Sequence, residues 1–335
     1  MKKYNLNFKI NSNTIIKKKV LFFLKMILKI LGIKYLVYKI LFFILRYING
    51  IKSYFIRGLI FDIQKPRNKL LIVNNDFNEK FVIFSYDDVI SKELYINGEF
   101  DLKKLEKTIE YFYNQGNPIE NLFDIGANIG VISIPAVKRG LIKKAFAVEP
   151  EPQNYTLLKT NIILNNLEDK VIPYNYALSD TDDKIINMEL SSDNSGDHRI
   201  KEIVNFNIHN EEKRQIIKVK TKKFDSLFKE INQKNNLVWI DTQGFEPKVL
   251  SGAENLINNK VPVVIEFWPY ALKRAGLWKS MIEFLYRFDL FIDLSKEKII
   301  PCEINQTSID KLIYGWQDEK KGSPSLFTDL VLLKN

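Results

Sequence analysis

The sequence predicts an α/β protein. Its core is a mostly parallel sheet of seven strands covered by helices, with an antiparallel hairpin at one edge and a helical N-terminal extension. Three observations lead there. From residue 121 onward, short apolar runs alternate with stretches of helical periodicity. The first run ends in an acid and a glycine turn, "NLFDIGANIGVISIPAVKRG" at 121–140. The excess positive charge is confined to one end: residues 1–61 hold 13 of the 50 Lys and Arg and no Asp or Glu, leaving 37 basic against 40 acidic side chains beyond.

The elements follow in order. Residues 1–57 form a basic arm, 58–120 a leader, and 121–335 the main domain. In the arm, a membrane-spanning helix would need about 20 mostly apolar residues. The longest uninterrupted apolar run is Ile40 to Leu45. Lys25, Lys29, Lys34 and Lys39 would share one spanning window, at a cost on the order of 10 kcal/mol against a return of about 5. Wound as a helix, Lys18, Lys25, Lys29, Lys39 and Arg46 fall within an arc of about 100°. That is the pattern of an in-plane helix at residues 15–48 on an anionic membrane surface. Packing on the body is the alternative. No long apolar segment with a small-residue cleavage site is visible, so a secretory signal is not expected. The chain is expected in the cytoplasm, peripheral on the inner face of the cytoplasmic membrane.

In the leader, "KLLIVNN" and "KFVIFSYDDV" read as strands joined by "NDFNE", and "DLKKLEKTIEYFYNQG" as a helix. The main domain then reads strand "NLFDIG", helix "VISIPAVKRG", strand "KKAFAVEP", helix "PQNYTLLKTNIILNN" and strand "KVIPYNYALSD". An edge strand and short helix follow in "IKVKTKKFDSLFKEI", then strand "NLVWIDTQG", helix "EPKVLSGAENLINN" and strand "VPVVIEFWP". A helix in "LWKSMIEFLYRF" precedes the strands "LFIDLS" and "LFTDLVLLKN", which are expected to pair as the edge hairpin. A single cysteine, Cys302, excludes an internal disulfide and a cysteine metal cage, and His198 and His209 are too few for a structural zinc site. The near-neutral body speaks against nucleic acid as a partner.

In an open parallel sheet, ligands bind at the carboxyl ends of the strands. The first strand ends in Asp124-Ile-Gly126-Ala-Asn128-Ile-Gly130. Gly126 permits a tight turn, and Gly130 opens a helix whose N-terminus suits an anionic group. There is no Gly-Lys-Ser/Thr ending and no G-x-G-x-x-G, which removes a nucleoside triphosphate loop and a dinucleotide fingerprint. An acid on the strand repels a pyrophosphate and suits an ammonium, as in S-adenosylmethionine. Glu149 ends the second strand, where it can accept both ribose hydroxyls. Asp180, in "ALSD", is placed to meet the adenine amino group.

These residues resemble the FkbM-type methyltransferases, a branch of the class I, Rossmann-like S-adenosylmethionine-dependent fold. The resemblance covers roughly residues 95–270 through "FDIGANIG", "AVEPEPQNYTLLKTNIILN", "YALSD", "VKTKKFDSL" and "WIDTQGFEPKVLSGAE". Gln243 stands where that family usually has Glu, and Pro135 falls early in the first helix. The resemblance implies methyl transfer to an oxygen, and a glycan or glycolipid acceptor suits a membrane-surface arm. A polyketide-like molecule, a protein or an RNA is the alternative acceptor, and a fold that binds without turnover is the non-enzymatic alternative. Asp241 is the first candidate for the base, with Glu246, Glu266 and His198 as further catalytic candidates. Trp268 is placed to stack on a sugar, and Arg199 to contact an acidic acceptor. Cofactor contacts are expected from Asp124, Gly126, Asn128, Gly130, Glu149 and Asp180. No metal site is expected.

Overall fold

The structure, a computed structural model, describes residues 51–65, 69–201, 211–231, 235–316 and 326–335. The predicted membrane-surface arm at 15–48 lies outside them. The chain divides into two compact units, residues 1–60 and 61–335. Helix α1 (Ile51–Gln64) supplies the described part of the first unit. The second unit holds the sheet and the site.

The leader folds as predicted into an antiparallel ribbon, β1 (Leu70–Asn74) against β2 (Lys80–Phe84). Period-two alternation turns Leu71, Val73, Phe81 and Ile83 into the core. A helix that the sequence reading missed, α2 (Ile90–Asn97), follows. Its start is stapled by Asp87, whose carboxylate accepts hydrogen bonds from the backbone N–H of Val89 and Ser91. Then comes α3 (Leu102–Asn114), as expected.

The main domain opens with β3 (Asn121–Ile125), α4 (Ser133–Lys138), β4 (Lys144–Val148), α5 (Pro152–Leu164) and β5 (Val171–Tyr174). Pro135 lies in the first turn of α4, where its missing N–H is tolerated. Asn161 and Asn165, one helical turn apart, present their amides to the open edge of β2. Their oxygens accept from the N–H of Val82 and Lys80 at 2.6 and 3.0 Å, and their nitrogens donate to the same residues' carbonyls at 3.2 and 2.7 Å. Two side chains thus satisfy a strand edge that would otherwise invite another chain.

The run "KVIPYNYALSD" is not one strand. After β5 the chain leaves the main sheet, and β6 (Ala177–Leu178) joins a second sheet with β7 (Ile185–Leu190), β8 (Arg199–Ile200) and β9 (Gln215–Lys222), in the order β6-β9-β7-β8. The second sheet was not anticipated, because its partners are distant in sequence. Next come α6 (Phe224–Leu227), β10 (Asn236–Ile240), α7 (Glu246–Ser251), α8 (Glu254–Asn258), β11 (Val263–Phe267), α9 (Pro269–Arg274) and α10 (Trp278–Leu285). The chain ends with β12 (Leu290–Asp293), β13 (Cys302–Glu303), α11 (Gln306–Trp316) and β14 (Thr328–Leu333).

The main sheet has eight strands in the order β13-β12-β14-β11-β10-β3-β4-β5, one more than expected. The two last predicted strands do pair antiparallel, β12 with β14, but not as a simple hairpin: β13 and α11 intervene between them in sequence. Strand β14 inserts between β11 and β12, antiparallel to both. Hydropathy explains the insertion, since Leu330, Val331 and Leu332 are buried on both faces of the sheet. Leu122, Trp239, Val264 and Val331 feed the core on one face, while Phe123, Val238, Ile240, Val263 and Ile265 feed the other. The order reverses beside β3, so the carboxyl ends of β3, β4, β10 and β11 open on one crevice.

Candidate active site

A cavity of about 610 Å³ occupies that crevice. Asp124, near the end of β3, lines it and is 2% exposed. The Ser133 hydroxyl donates to its carboxylate at 2.5 Å. Burial pushes the carboxyl up to about 6 despite that bond. Gly126 follows at φ +92, and a Cβ there would stand 1.9 Å from the carbonyl oxygen of Asp241. The glycine is required by the close approach of the β3 and β10 turns rather than by a ligand alone. Asn128, also left-handed at φ 51, donates from its side chain to the Ser195 carbonyl at 2.7 Å. Gly130, at φ +92, has no room for a Cβ against Ile134 and Leu158.

Glu149, at the end of β4, is 4% exposed and lines the same cavity. One carboxylate oxygen accepts from the N–H of Asn128 at 2.9 Å, the other from the N–H of Glu151 at 2.8 Å. Burial, with Glu151 adding to it, pushes this carboxyl up to about 8. Asn154 stands behind it, donating to the Ser195 carbonyl at 3.1 Å. The buried side-chain oxygen of Asn154 has no protein partner, although the residue lines the cavity. Neither Asn154 nor Ser195 was singled out from the sequence. Asn154 reads there as an ordinary first-turn helix residue, and Ser195 as part of a polar loop.

Asp241 follows β10, and Glu266 lies in β11. Both line the cavity. The amide nitrogen of Gln243 donates to both, at 2.6 Å to Asp241 and 3.1 Å to Glu266. Gln243 holds this bridge from a left-handed backbone at φ 56. Asp329 is the register partner of Glu266 on β14 and forms an ion pair with Lys104 at 2.5 Å. Burial, with Asp329 next in effect, pushes Asp241 up to about 7, and burial with Asp241 raises Glu266 well above the usual carboxylate range. A buried acid inside the apolar run "FTDLVLL" was the sequence signal for Asp329, and it went unused.

Other predicted residues fall elsewhere. Glu246 does not line the cavity. One oxygen of its carboxylate accepts from the N–H of Thr242, the Thr242 hydroxyl and the N–H of Gly244, at 2.9, 3.0 and 3.2 Å. It braces the turn that carries Gln243. Asp180 is also outside the cavity lining, paired with Lys248 at 2.7 Å, while its neighbours Ala177 and Leu178 do line it. Asp180 follows β6 of the second sheet, a change of sheet that the reading of one continuous strand concealed.

The insert between β7 and β8, residues 191–198, contributes to the cavity lining. The Ser195 hydroxyl donates to Asp87 at 2.6 Å, which ties the insert to the leader. His198 lines the cavity, but its Nδ1 accepts the N–H of Ser191 at 3.1 Å. The ring is therefore neutral with its proton on Nε2, and burial pushes its pKa down to about 4. In that tautomer Nε2 donates and cannot take a proton. Arg199 is likewise not available to an acidic acceptor: it pairs with Asp197 and Glu211, both at 2.5 Å, and its guanidinium lies 4.6 Å from the Trp268 ring centroid. Trp268 lines the cavity. Among the described residues, no group of three or more His, Cys, Asp or Glu is placed to hold a metal ion.

The sheet order and the acids at successive strand ends are those of a class I methyltransferase fold. The model of the methyltransferase FkbM domain matches residues 124–290, about half the chain, and the chain belongs to that family. No curated protein matches. Among solved structures, the M. jannaschii tRNA m1G37 methyltransferase is 17% identical with a TM-score of 0.38, over 80% of this chain and 55% of that one. The M. jannaschii TYW2 in complex with AdoMet is 12% identical with a TM-score of 0.38, over 80% and 88%. The FkbM methyltransferase of Methylobacillus flagellatus KT is 12% identical with a TM-score of 0.36, over 82% and 58%. The chain spans little more than half the length of the first and last of these.

The cavity fits S-adenosylmethionine on its own chemistry. Its lining is strongly acidic, which suits a cationic ligand. The unpartnered Asn154 oxygen and the Glu149 carboxylate offer acceptors to the hydroxyls and amino groups of a nucleoside.

Proposed function

We propose that this protein is an S-adenosylmethionine-dependent O-methyltransferase that modifies a hydroxyl of a glycan or glycolipid. The observation that carries the reading is the convergence of Asp124, Glu149, Asp241 and Glu266 on one cavity from four adjacent strands. When bound, the cofactor supplies a methyl group on a sulfonium, already a good leaving group. The protein's own work is then binding, orientation and proton removal. Asp124 holds the cofactor's ammonium, and Glu149 with Asn154 holds its nucleoside. Asp241 takes the acceptor's proton, with a proton affinity that burial sets near neutrality. Gln243 fixes Asp241 and Glu266 at a set spacing, and the Trp268 ring, backed by Arg199, supplies a flat wall for a sugar. The basic arm would keep such an enzyme at the leaflet that holds a lipid-linked acceptor.

The test is calorimetric titration of S-adenosylhomocysteine into the full chain and into Asp124→Ala and Glu149→Gln. Saturable binding is expected in the parent. Loss of a charge-assisted hydrogen bond, worth about 1.5–3 kcal/mol, should weaken each variant roughly ten- to a hundredfold. A folded parent that binds neither S-adenosylhomocysteine nor S-adenosylmethionine would remove the cofactor and the reaction together.

A further inference from the structure

The charge of the cavity restricts the acceptor. Eight Asp and Glu side chains line it against two Arg among the described residues. Both guanidiniums are already paired: Arg199 with Asp197 and Glu211, and Arg214 with Asp197. His198 is held neutral by the bond to its Nδ1. The ammonium of Lys104, which acts on Glu266, is committed to Asp329 and to Asp101 at 2.5 and 2.7 Å. A cationic cofactor offsets part of this excess near Asp124. At the far end Asp241 and Glu266 line the cavity together with Trp268, and no cation of the described lining is free to offset the charge these carboxyls carry as they ionise.

Two acceptor oxygens bridged by one amide, next to an aromatic wall, match adjacent hydroxyls on a sugar ring. They do not match a phosphate or a carboxylate. Resting on the methyl-transfer reading, we propose that the acceptor end selects a neutral or amine-bearing polyol and rejects an acceptor with an anionic group beside the reacting hydroxyl. Asp241 and Glu266 accept hydrogen bonds from neighbouring donors of the acceptor, and Gln243 holds the pair apart. An anion in the same place meets both carboxylates and no unpaired cation among the described lining.

The experiment uses the full chain saturated with S-adenosylhomocysteine and three matched probes: methyl glucoside, its 2-amino analogue and its uronate. Binding is read by ligand-observed NMR titration. The uronate should bind at least about tenfold more weakly than the other two, with a gap that narrows as salt is raised. The gap should widen as pH is raised and the carboxyls of Asp241 and Glu266 ionise, and Glu266→Gln, which keeps shape and removes an ionisable group, should shrink it severalfold at the alkaline end. Equal or tighter binding of the uronate, or no detectable binding of any of the three, overturns the proposal. The first titration separates the two failures. If S-adenosylhomocysteine itself does not bind, the methyl-transfer reading falls. If it binds and the uronate is preferred, only the acceptor inference falls.

Discussion

Gly126 is the residue on which the site's geometry turns. Its missing Cβ lets the β3 turn lie against the carbonyl of Asp241. Gly126→Ala has nowhere to place a methyl 1.9 Å from a backbone oxygen, at a φ that L residues avoid. The substitution should cost at least about 2–3 kcal/mol in a denaturant melt and abolish S-adenosylhomocysteine binding. A variant of unchanged stability would mean that the two turns are not packed as described. His198 carries a contrasting expectation. Because burial holds it neutral down to about 4, His198→Asn should leave the pH dependence of cofactor binding between pH 5.5 and 8 unaltered. A lost transition near pH 6.5, seen by comparing titrations of parent and variant, would restore it as an ionising group.

At the scale of elements, the turn between β10 and α7 sets the acid chemistry. Gln243 reaches two carboxylates from a left-handed backbone, and Glu246 braces the turn from behind. A Glu at 243, the residue that the resemblance leads one to expect there, would put a third carboxylate within hydrogen-bond reach of Asp241 and Glu266. Like charges at that distance raise one another's proton affinity. Both carboxyls already bind protons more tightly folded than unfolded, so their protonation favours the fold at low pH and that contribution is lost as pH rises. Gln243→Glu should therefore lose at least about 1–2 kcal/mol more than the parent between pH 5 and pH 9, measured by urea unfolding. Equal losses would show that the amide bridge does not matter to the pair.

The whole molecule should show the same sign. Asp124, Asp241 and Glu149 are pushed by burial to about 6, 7 and 8. Their unfolded values lie near 4. Their contribution to stability is complete below about pH 4 and fades as pH rises through 6 to 8, where each must ionise, Asp124 and Glu149 while buried and Asp241 while half-buried. A cationic ligand favours the ionised forms, so cofactor binding near pH 7 should release protons. Calorimetry in buffers of different ionisation enthalpy reads that release directly, and its absence would mean the carboxylates are already ionised or do not touch the ligand. The basic arm makes its prediction at this scale as well. The full chain should co-sediment with anionic vesicles and not with neutral ones, and removal of residues 1–50 should abolish it.

What was legible in the sequence was local. Alternating periodicities placed β3, α4, β4, α5, β10 and β11, because each element's apolar spacing is written in consecutive residues. The strand-end acids Asp124, Glu149 and Asp241 were legible for the same reason: each follows directly from the end of an apolar run. Tertiary structure decided the rest. Whether β14 sits outside or inside the sheet depends on which neighbours bury it, and no local pattern carries that. Asp180 and Glu246 looked like site residues by position along the chain. The bend after β5 turned Asp180 toward Lys248, and a backbone turn claimed Glu246. His198 was legible in the sequence as a catalytic candidate, but its tautomer is set by the N–H of Ser191, seven residues away around a loop. The amide of Gln243 on two carboxylates, and the pairing of each lining cation, arise from side chains that meet only in the folded chain. Local spacing determines which elements form and which acids end them. Long-range packing determines which of those acids meet, and with what charge between them.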